Sequence, residues 1–220
     1  MDYEKETRSA YRNMAKAANY KKQIAEKITW ARFAMWRERR IIRKALRSCD
    51  IGRADALLDI PCGTGILARV LSSFSDIIVG SDISREMMDF ARKEYQGIPV
   101  CEFIQADITA VPFKKGVFRS VLILGFMHRV PAEIRTKTLQ EMAFVSNAFI
   151  IVSYSVQDAL QRCKREALKR FLSSYKSAPA AASIHEIVQE FKANDLSIHK
   201  KYRVAPFFSS EVVFLLKKKV

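Results

Sequence analysis

Residues 56–68 read ALLDIPCGTGILA, an apolar run that ends near an acidic residue and is followed by a turn with two glycines. A run this short and this apolar is typical of a buried strand. Gly63 and Gly65 have no Cβ, so the backbone can bend sharply there and approach a ligand closely. The residues after Gly65 are apolar and predict a helix that runs through Phe74. The stretch therefore predicts a strand, a ligand-binding turn and a helix in succession.

The charge beside this turn indicates which ligand it suits. As a bare pattern, Gly63, Gly65 and Ala68, with Asp82 further along, also satisfy the dinucleotide fingerprint. Asp59 argues against a dinucleotide, because its carboxylate would repel a pyrophosphate placed at the turn and the helix N-terminus. It would attract a ligand that carries an ammonium and a sulfonium. A nicotinamide-dependent oxidoreductase stays open as an alternative that Asp59 opposes.

Strands and helices alternate through the centre of the chain. After the run at 56–60, four further apolar runs predict strands at 76–82, 99–105, 119–126 and 149–155. Ser84 is the predicted N-cap of a helix that runs to Gln96, and Ser183 with Glu186 predicts a capping box at the start of a later helix. The alternation predicts a parallel sheet covered by helices on both faces. Two runs in the tail, at 196–204 and 211–219, are joined only by a loop and should pair antiparallel.

Four segments, taken in order, resemble the class I S-adenosylmethionine-dependent methyltransferase family. They are Asp59 with PCGTG (61–65), GSDISREMM (80–88), QAD (105–107) and FMHRVP (126–131). The resemblance covers roughly residues 50–155. It implies an α/β, Rossmann-like, doubly wound and mostly parallel seven-stranded sheet with a C-terminal antiparallel strand and an N-terminal helical cap. Pro61 stands where the family has the first glycine of its motif.

The resemblance also implies roles for individual residues, with S-adenosylmethionine as the cofactor. Asp59 and the Gly125 carbonyl would hold the methionine ammonium, and Asp82 would accept hydrogen bonds from both ribose hydroxyls. Asp107 would accept from the adenine amino group, while Met87 would pack on the adenine ring. The full set of residues assigned to the cofactor is Asp59, Cys62, Gly63, Gly65, Asp82, Ile83, Met87, Asp107, Ile108 and Gly125.

The implied domain division follows from the same resemblance. The first fifty residues read as helix, since apolar residues recur at three- and four-residue spacing from Ile24 to Leu46. We expect a helical cap over residues 1–50 and a methyltransferase core over 51–220. A basic helix inserted within 156–182 would cover the acceptor side of the core.

His128 is the candidate catalytic base, because it follows strand four and titrates near neutral pH. Its alternative role is to line the pocket or shape the loop. The segment after strand four lacks the signature of exocyclic-amine DNA methyltransferases, the cysteine of cytosine C5 enzymes and the carboxylates of metal-dependent catechol enzymes. The four cysteines are widely spaced, so no metal site is predicted.

The charge distribution points to an anionic partner. The net charge is +15, made up of +9 in residues 1–53, −1 in 54–154 and +7 in 155–220. Such flanks suit an anionic acceptor, a membrane surface or nucleic acid, although a solvated surface would look the same. We expect methylation, most simply at oxygen, of a small-molecule or lipid-linked acceptor. The alternatives are a tRNA or rRNA methyltransferase and a non-catalytic cofactor-binding partner subunit.

The expected location is the cytoplasm, and a peripheral position at the inner face of the membrane is the alternative. The first sixteen residues are charged where a signal peptide would be apolar, and no apolar run is long enough to cross a bilayer. The cysteine pattern is typical of reduced thiols.

Overall fold

The computed structural model describes residues 29–156, 182–205 and 209–219, with side chains from residue 33 onwards. The described strands are β1 (Ala56–Asp59), β2 (Ile77–Asp82), β3 (Val100–Gln105), β4 (Phe118–Ile123), β5 (Ser146–Ser155), β6 (Leu196–Arg203) and β7 (Glu211–Lys218). The described helices are α1 (Thr29–Leu46), α2 (Ala68–Leu71), α3 (Arg85–Glu94), α4 (Ala132–Val145) and α5 (Ile184–Ala193). A short 3₁₀ helix covers Met127–Arg129.

All seven described strands form one sheet, in the order β3-β2-β1-β4-β5-β7-β6. The strands β1 to β5 are mutually parallel, and β7 is antiparallel to both of its neighbours. This confirms the predicted mostly parallel sheet with an antiparallel strand near the C-terminus. The strand order reverses at β1, which has β2 on one side and β4 on the other. In open α/β sheets a ligand crevice lies at this point, beyond the carboxyl ends of the strands.

Each face of the sheet carries its own hydrophobic core. One core packs α4 and α5 against the sheet through residues such as Leu139, Met142 and Phe191. The other packs α1, α2 and α3 against the opposite face. In α1 the side chains of Ile42, Ala45 and Leu46 are fully buried. Burying an Ile or Leu side chain stabilises a fold by about 1.5–3 kcal/mol, so α1 is held firmly to the core.

Several predicted boundaries differ from those observed. β4 ends at Ile123 rather than Phe126, because the chain turns at Gly125, where φ is 67°. β5 begins at Ser146 instead of residue 149, and the helix after the glycine turn ends at Leu71 rather than Phe74. The predicted caps are confirmed. The Ser84 hydroxyl accepts a 3.1 Å hydrogen bond from the Met87 N–H, and Ser183 and Glu186 form a capping box.

The predicted covering segments lie partly outside the described residues. Of the expected cap over 1–50, the structure describes residues 29–50, which include α1. Of the expected basic insertion, it describes only Val156 and Ala182, which form an isolated parallel bridge. No helix within the described part of the chain is long and apolar enough to cross a membrane.

Candidate cofactor and acceptor site

The carboxyl ends of β1, β2 and β4 bring the main predicted residues to one edge of the sheet. Asp59 ends β1 and Asp82 ends β2, while Gly125 follows β4. The glycine turn is tied to β2, because the Cys62 N–H donates a 2.8 Å hydrogen bond to the Ser81 carbonyl. The sequence predicted that these residues lie close together. In the structure they do, at the point where the strand order of the sheet reverses.

Both carboxylate oxygens of Asp82 hold the backbone around the turn. One oxygen, Oδ2, accepts a 2.9 Å hydrogen bond from the Gly63 N–H, and Oδ1 accepts one of 2.9 Å from the Ser84 N–H. Burial raises the pKa of Asp82, and the N–H donors of Ser84, Gly63 and Ile83 oppose that rise. Each carboxylate oxygen has more than one acceptor site, so Asp82 keeps capacity for ligand hydroxyls.

Asp59 accepts a hydrogen bond from an aromatic residue that was not predicted from the sequence. The Tyr95 hydroxyl donates a 2.6 Å hydrogen bond to Asp59 Oδ2, and both residues are 2% exposed. Burial raises the pKa of Asp59 to about 7, the Tyr95 bond lowers it, and the Asp82 charge raises it further. Tyr95 is the C-cap residue of α3. Its position at the end of an apolar helix face was the only sequence signal.

The two turn glycines have different surroundings. Among the described residues, a Cβ on Gly63, where φ is 52°, would find only the Met87 methyl group within 4 Å, at 3.8 Å. A Cβ on Gly65, where φ is 80°, would lie 2.9 Å from the Cα of Ala91 in α3. Gly65 therefore permits close packing of the turn on α3, while Gly63 leaves space beside Met87. Pro61, in the place of the family's first glycine, follows a cis peptide bond.

The residues predicted for the adenine side surround the end of β3. The Ala106 N–H donates a 3.2 Å hydrogen bond to the Asp82 carbonyl, which fixes this loop to β2. Asp107 Oδ1 accepts bonds from the N–H and the hydroxyl of Thr109. The side chains of Met87 and Ile108 are buried, both 5% exposed. A contact not predicted is the 2.9 Å bond that Gln105 Nε2 donates to the Ile83 carbonyl.

Beyond β4 the chain forms an open turn next to His128. The Gly125 N–H donates a 2.9 Å hydrogen bond to Ser153 Oγ, and a Cβ on Gly125 would meet nothing within 4 Å. His128 lies in the 3₁₀ helix. Burial lowers the pKa of His128 to about 4, and the Arg129 charge acts in the same direction. The imidazole is therefore neutral at neutral pH, able to accept a proton but only weakly basic.

Two carboxyl groups that were not predicted meet on the α1 side of this edge. Glu38 of α1 and Glu211 at the start of β7 are hydrogen-bonded to each other, and Glu211 also bonds Ser153. Burial raises the pKa of Glu38 to about 8, and the Glu211 charge and bond add to that rise, while Arg39 opposes it. The pair therefore retains a proton at neutral pH. Glu38 lies four residues before the buried Ile42, a spacing that places it on the inner face of α1.

The site has no metal cluster within the described residues, since no group of three or more His, Cys, Asp or Glu side chains is placed to hold an ion. Residues 57–148 match the methyltransferase domain family. This stretch, which includes the glycine turn, Asp82 and Gly125, is similar in sequence to methyltransferase domains, and the fold is shared with solved S-adenosylmethionine-dependent methyltransferases. Solved structures with this fold contain bound S-adenosylmethionine or S-adenosylhomocysteine.

The chain is similar to curated proteins with diverse acceptors. It is 27% identical over 124 residues to a ubiquinone/menaquinone biosynthesis C-methyltransferase from Wigglesworthia glossinidia brevipalpis, covering 53% of this chain and 50% of that relative. It is 34% identical over 85 residues to an 18S rRNA (guanine-N(7))-methyltransferase from Schizosaccharomyces pombe, covering 37% and 30%. The chain therefore spans about half or less of these curated relatives.

A solved structure with the same fold extends over nearly the whole chain. It is magnesium protoporphyrin IX methyltransferase from Synechocystis PCC 6803 with bound S-adenosylhomocysteine, with a TM-score of 0.78 and 14% identity. The match covers 96% of this chain and 98% of that one. At this identity the likeness concerns the fold.

The residues at this edge of the sheet fit S-adenosylmethionine. Asp82 offers acceptors for a pair of hydroxyls, and Asp59 offers negative charge for an ammonium. Gly63 has no Cβ to fill the space next to Met87, so a ligand can approach the backbone closely there. Cys62 and Gly65 have a different role in the site from Asp59, Asp82 and Gly63. The Cys62 thiol is buried, and the Cβ position of Gly65 faces α3.

Proposed function

We propose that the protein transfers the methyl group of S-adenosylmethionine to an oxygen of a small-molecule or lipid-linked, anionic acceptor. The observation that carries the proposal is the Asp82 carboxylate, held by the Gly63 and Ser84 N–H groups at the strand-order reversal. A carboxylate fixed in this way is ready to accept two neighbouring hydroxyls without first being ordered.

The cofactor supplies an activated methyl group, and the chain's own residues have to align the partners and exclude water. In this proposal Asp82 orients the ribose end, and Asp59 with the Gly125 carbonyl orients the ammonium end. His128, neutral at neutral pH, accepts the acceptor's proton as the new bond forms. The low basicity of His128 suits an acceptor whose proton is already acidic.

The acceptor class is supported by the relatives and by the charge. One relative is named for quinone biosynthesis, and a further one, 35% identical over 79 residues, is a malonyl-[acyl-carrier protein] O-methyltransferase. The net charge of +15 suits an anionic acceptor. A cytoplasmic location is part of the proposal, supported by the free thiols of Cys49, Cys62 and Cys101 among the described residues.

A tRNA or rRNA methyltransferase is the second candidate, favoured by the basic flanks and by the similarity to the 18S rRNA enzyme. A partner subunit that binds cofactor without transferring it is the third. The test is transfer of radiolabelled methyl from S-adenosylmethionine into separate small-molecule, lipid and RNA extracts. Asp82→Ala serves as the matched inactive control.

We expect label in the small-molecule or lipid extract with wild-type protein only. Label in RNA alone would replace the proposal with the second candidate. Cofactor binding without label in any extract would favour the non-catalytic subunit.

A further inference from the structure

A strongly basic groove lies between α1, α2 and the glycine turn, and Thr64 and Gly65 of that turn line part of it. Its volume is about 690 Å³, and its charged lining consists of Arg39, Arg40, Arg43, Arg47, Arg69 and Glu94. Five guanidinium groups therefore surround one groove with a single carboxylate. Such a concentration of one sign of charge raises the local concentration of anions.

Most of these arginines have no internal reason to be clustered. Within the described part of the chain, the guanidinium groups of four arginines make no hydrogen bond or ion pair with any other residue. These are Arg39, Arg43, Arg47 and Arg69. The contrast is Arg135, which pairs with Glu190 at 2.5 Å. Like charges spaced four residues apart on a helix repel each other, so the cluster costs stability unless an anion binds there.

The basic surface continues around α1 to the edge of the sheet. A second groove of about 510 Å³ is lined by Arg37, Arg40, Lys44, Lys201 and Arg203, with no acidic residue. Arg40 lines both grooves, and Lys201 and Arg203 belong to the edge strand β6. The result is a broad basic surface on the two sides of one helix.

Exposed aromatic rings stand on the same helix. Trp36 is 52% exposed and Phe33 is 43% exposed, with ring centroids 6.0 Å apart. The Arg40 guanidinium lies 5.5 Å from the Trp36 ring centroid. Aromatic side chains next to basic ones on an exposed helix face are typical of helices that lie in the interface of a membrane.

We propose that the exposed face of α1 binds the surface of an anionic lipid bilayer, with the arginines on headgroup phosphates and Trp36 and Phe33 at the interface. Lipid is favoured as the partner because the exposed Trp36 and Phe33 rings lie beside the arginines on one helix, which is the combination found in helices that bind anionic membrane surfaces. This proposal does not depend on the methyl acceptor.

The test is co-sedimentation of the full chain with vesicles of pure phosphatidylcholine, or with 30% phosphatidylglycerol, at about 0.05 M and 0.5 M salt. Wild type should bind only the anionic vesicles, and binding should fall at high salt. The variant Arg39→Gln/Arg43→Gln/Arg47→Gln should lower the partition coefficient by roughly 100-fold at low salt. The matched control is Lys114→Gln/Lys115→Gln/Lys137→Gln, which removes the same charge from exposed lysines elsewhere.

Trp36 supplies an independent readout. In a Trp30→Phe background, Trp36 fluorescence should shift to the blue with anionic vesicles and stay unchanged with neutral ones. Circular dichroism checks that each variant is folded. Equal binding to both vesicle types, or equal losses in the arginine variant and the lysine control, would overturn the proposal. So would tight binding of transfer RNA at 0.15 M salt with no vesicle binding, a result that would assign the surface to nucleic acid.

Discussion

The Tyr95 hydroxyl donates a 2.6 Å hydrogen bond to Asp59 Oδ2 in a pocket where both residues are 2% exposed. The bond joins the end of α3 to the end of β1, directly behind the glycine turn. Because it lowers the pKa of a carboxyl that burial raises to about 7, Tyr95 keeps a larger fraction of Asp59 ionised at neutral pH. That ionised form is the one able to attract a cofactor ammonium.

Tyr95→Phe should therefore weaken binding of S-adenosylhomocysteine about tenfold at pH 7, the effect of one lost hydrogen bond to a charged group. In wild type the affinity should rise with pH between 6 and 8 as Asp59 ionises, and in the variant this rise should move to higher pH. Calorimetry at three pH values checks both points. Tyr202→Phe, which removes a hydroxyl that has no hydrogen-bond partner among the described residues, is the control. Identical affinities for wild type and Tyr95→Phe would contradict the role given to Asp59.

The packing of the turn predicts different costs at two glycines. Gly65→Ala should lower the free energy of unfolding by roughly 3 kcal/mol or more, because its Cβ would lie 2.9 Å from Ala91 Cα and φ is 80°. Gly97→Ala, at a φ of 83° but with nothing within 4 Å, should cost only about 1 kcal/mol of backbone strain. Urea unfolding measures both values. Equal costs at the two positions would show that α3 does not constrain the turn.

The Glu38–Glu211 pair predicts an unusual dependence of stability on pH. The pKa of Glu38 in the folded protein is about 8, whereas the ordinary pKa of a glutamate is 4.5, so the folded protein keeps this proton up to about pH 8. The folded state therefore binds more protons across this window, so the free energy of unfolding falls as pH rises from 4.5 to 8. Asp59, with its raised pKa, contributes in the same direction.

Glu38→Gln should flatten this fall and be more stable than wild type by about 1–2 kcal/mol at pH 8.5. Unfolding at pH 6 and pH 8.5 provides the comparison, and Glu133→Gln, an exposed carboxyl on α4, is the control. If the free energy of unfolding of wild type rises between pH 6 and pH 8.5, the Glu38–Glu211 pair does not hold a proton in the folded state.

His128 is the residue on which proton removal depends in the proposed reaction. His128→Asn should lower kcat about 100-fold, with little change in the affinity for the cofactor. Because the pKa of the imidazole is about 4, the wild-type rate should already be independent of His128 ionisation above pH 6. Single-turnover rates with the acceptor found by the extract screen test this. If His128→Asn were as fast as wild type, His128 would not be the base and would serve only to shape the loop.

The sequence allowed the sheet and the cofactor-side residues to be predicted, for a local reason. Asp59 and Asp82 each end an apolar strand, and parallel strands bring their carboxyl ends to one edge. The N-cap at Ser84 was equally visible, because its signal lies within a few residues. What the sequence could not give was the pairing of groups far apart along the chain.

Tyr95 lies 36 residues from Asp59, and Glu38 meets Glu211 only because α1 packs beside the start of β7. Such contacts depend on how helices lie on the sheet, which periodicity alone does not specify. The predicted length of α2 was also wrong, because residues that the apolar pattern assigns to the helix form a turn after Gly65.

Titration calorimetry with S-adenosylhomocysteine shows whether Asp82 anchors the cofactor at this edge of the sheet. Wild type should bind, and Asp82→Ala should weaken binding about tenfold or more, because a charge-assisted contact contributes roughly 1.5–3 kcal/mol. Asp89→Ala, which removes an exposed carboxylate from α3, should bind within twofold of wild type, and circular dichroism should show all three proteins folded. Absence of binding by wild type, or an unchanged affinity in folded Asp82→Ala, would contradict the account.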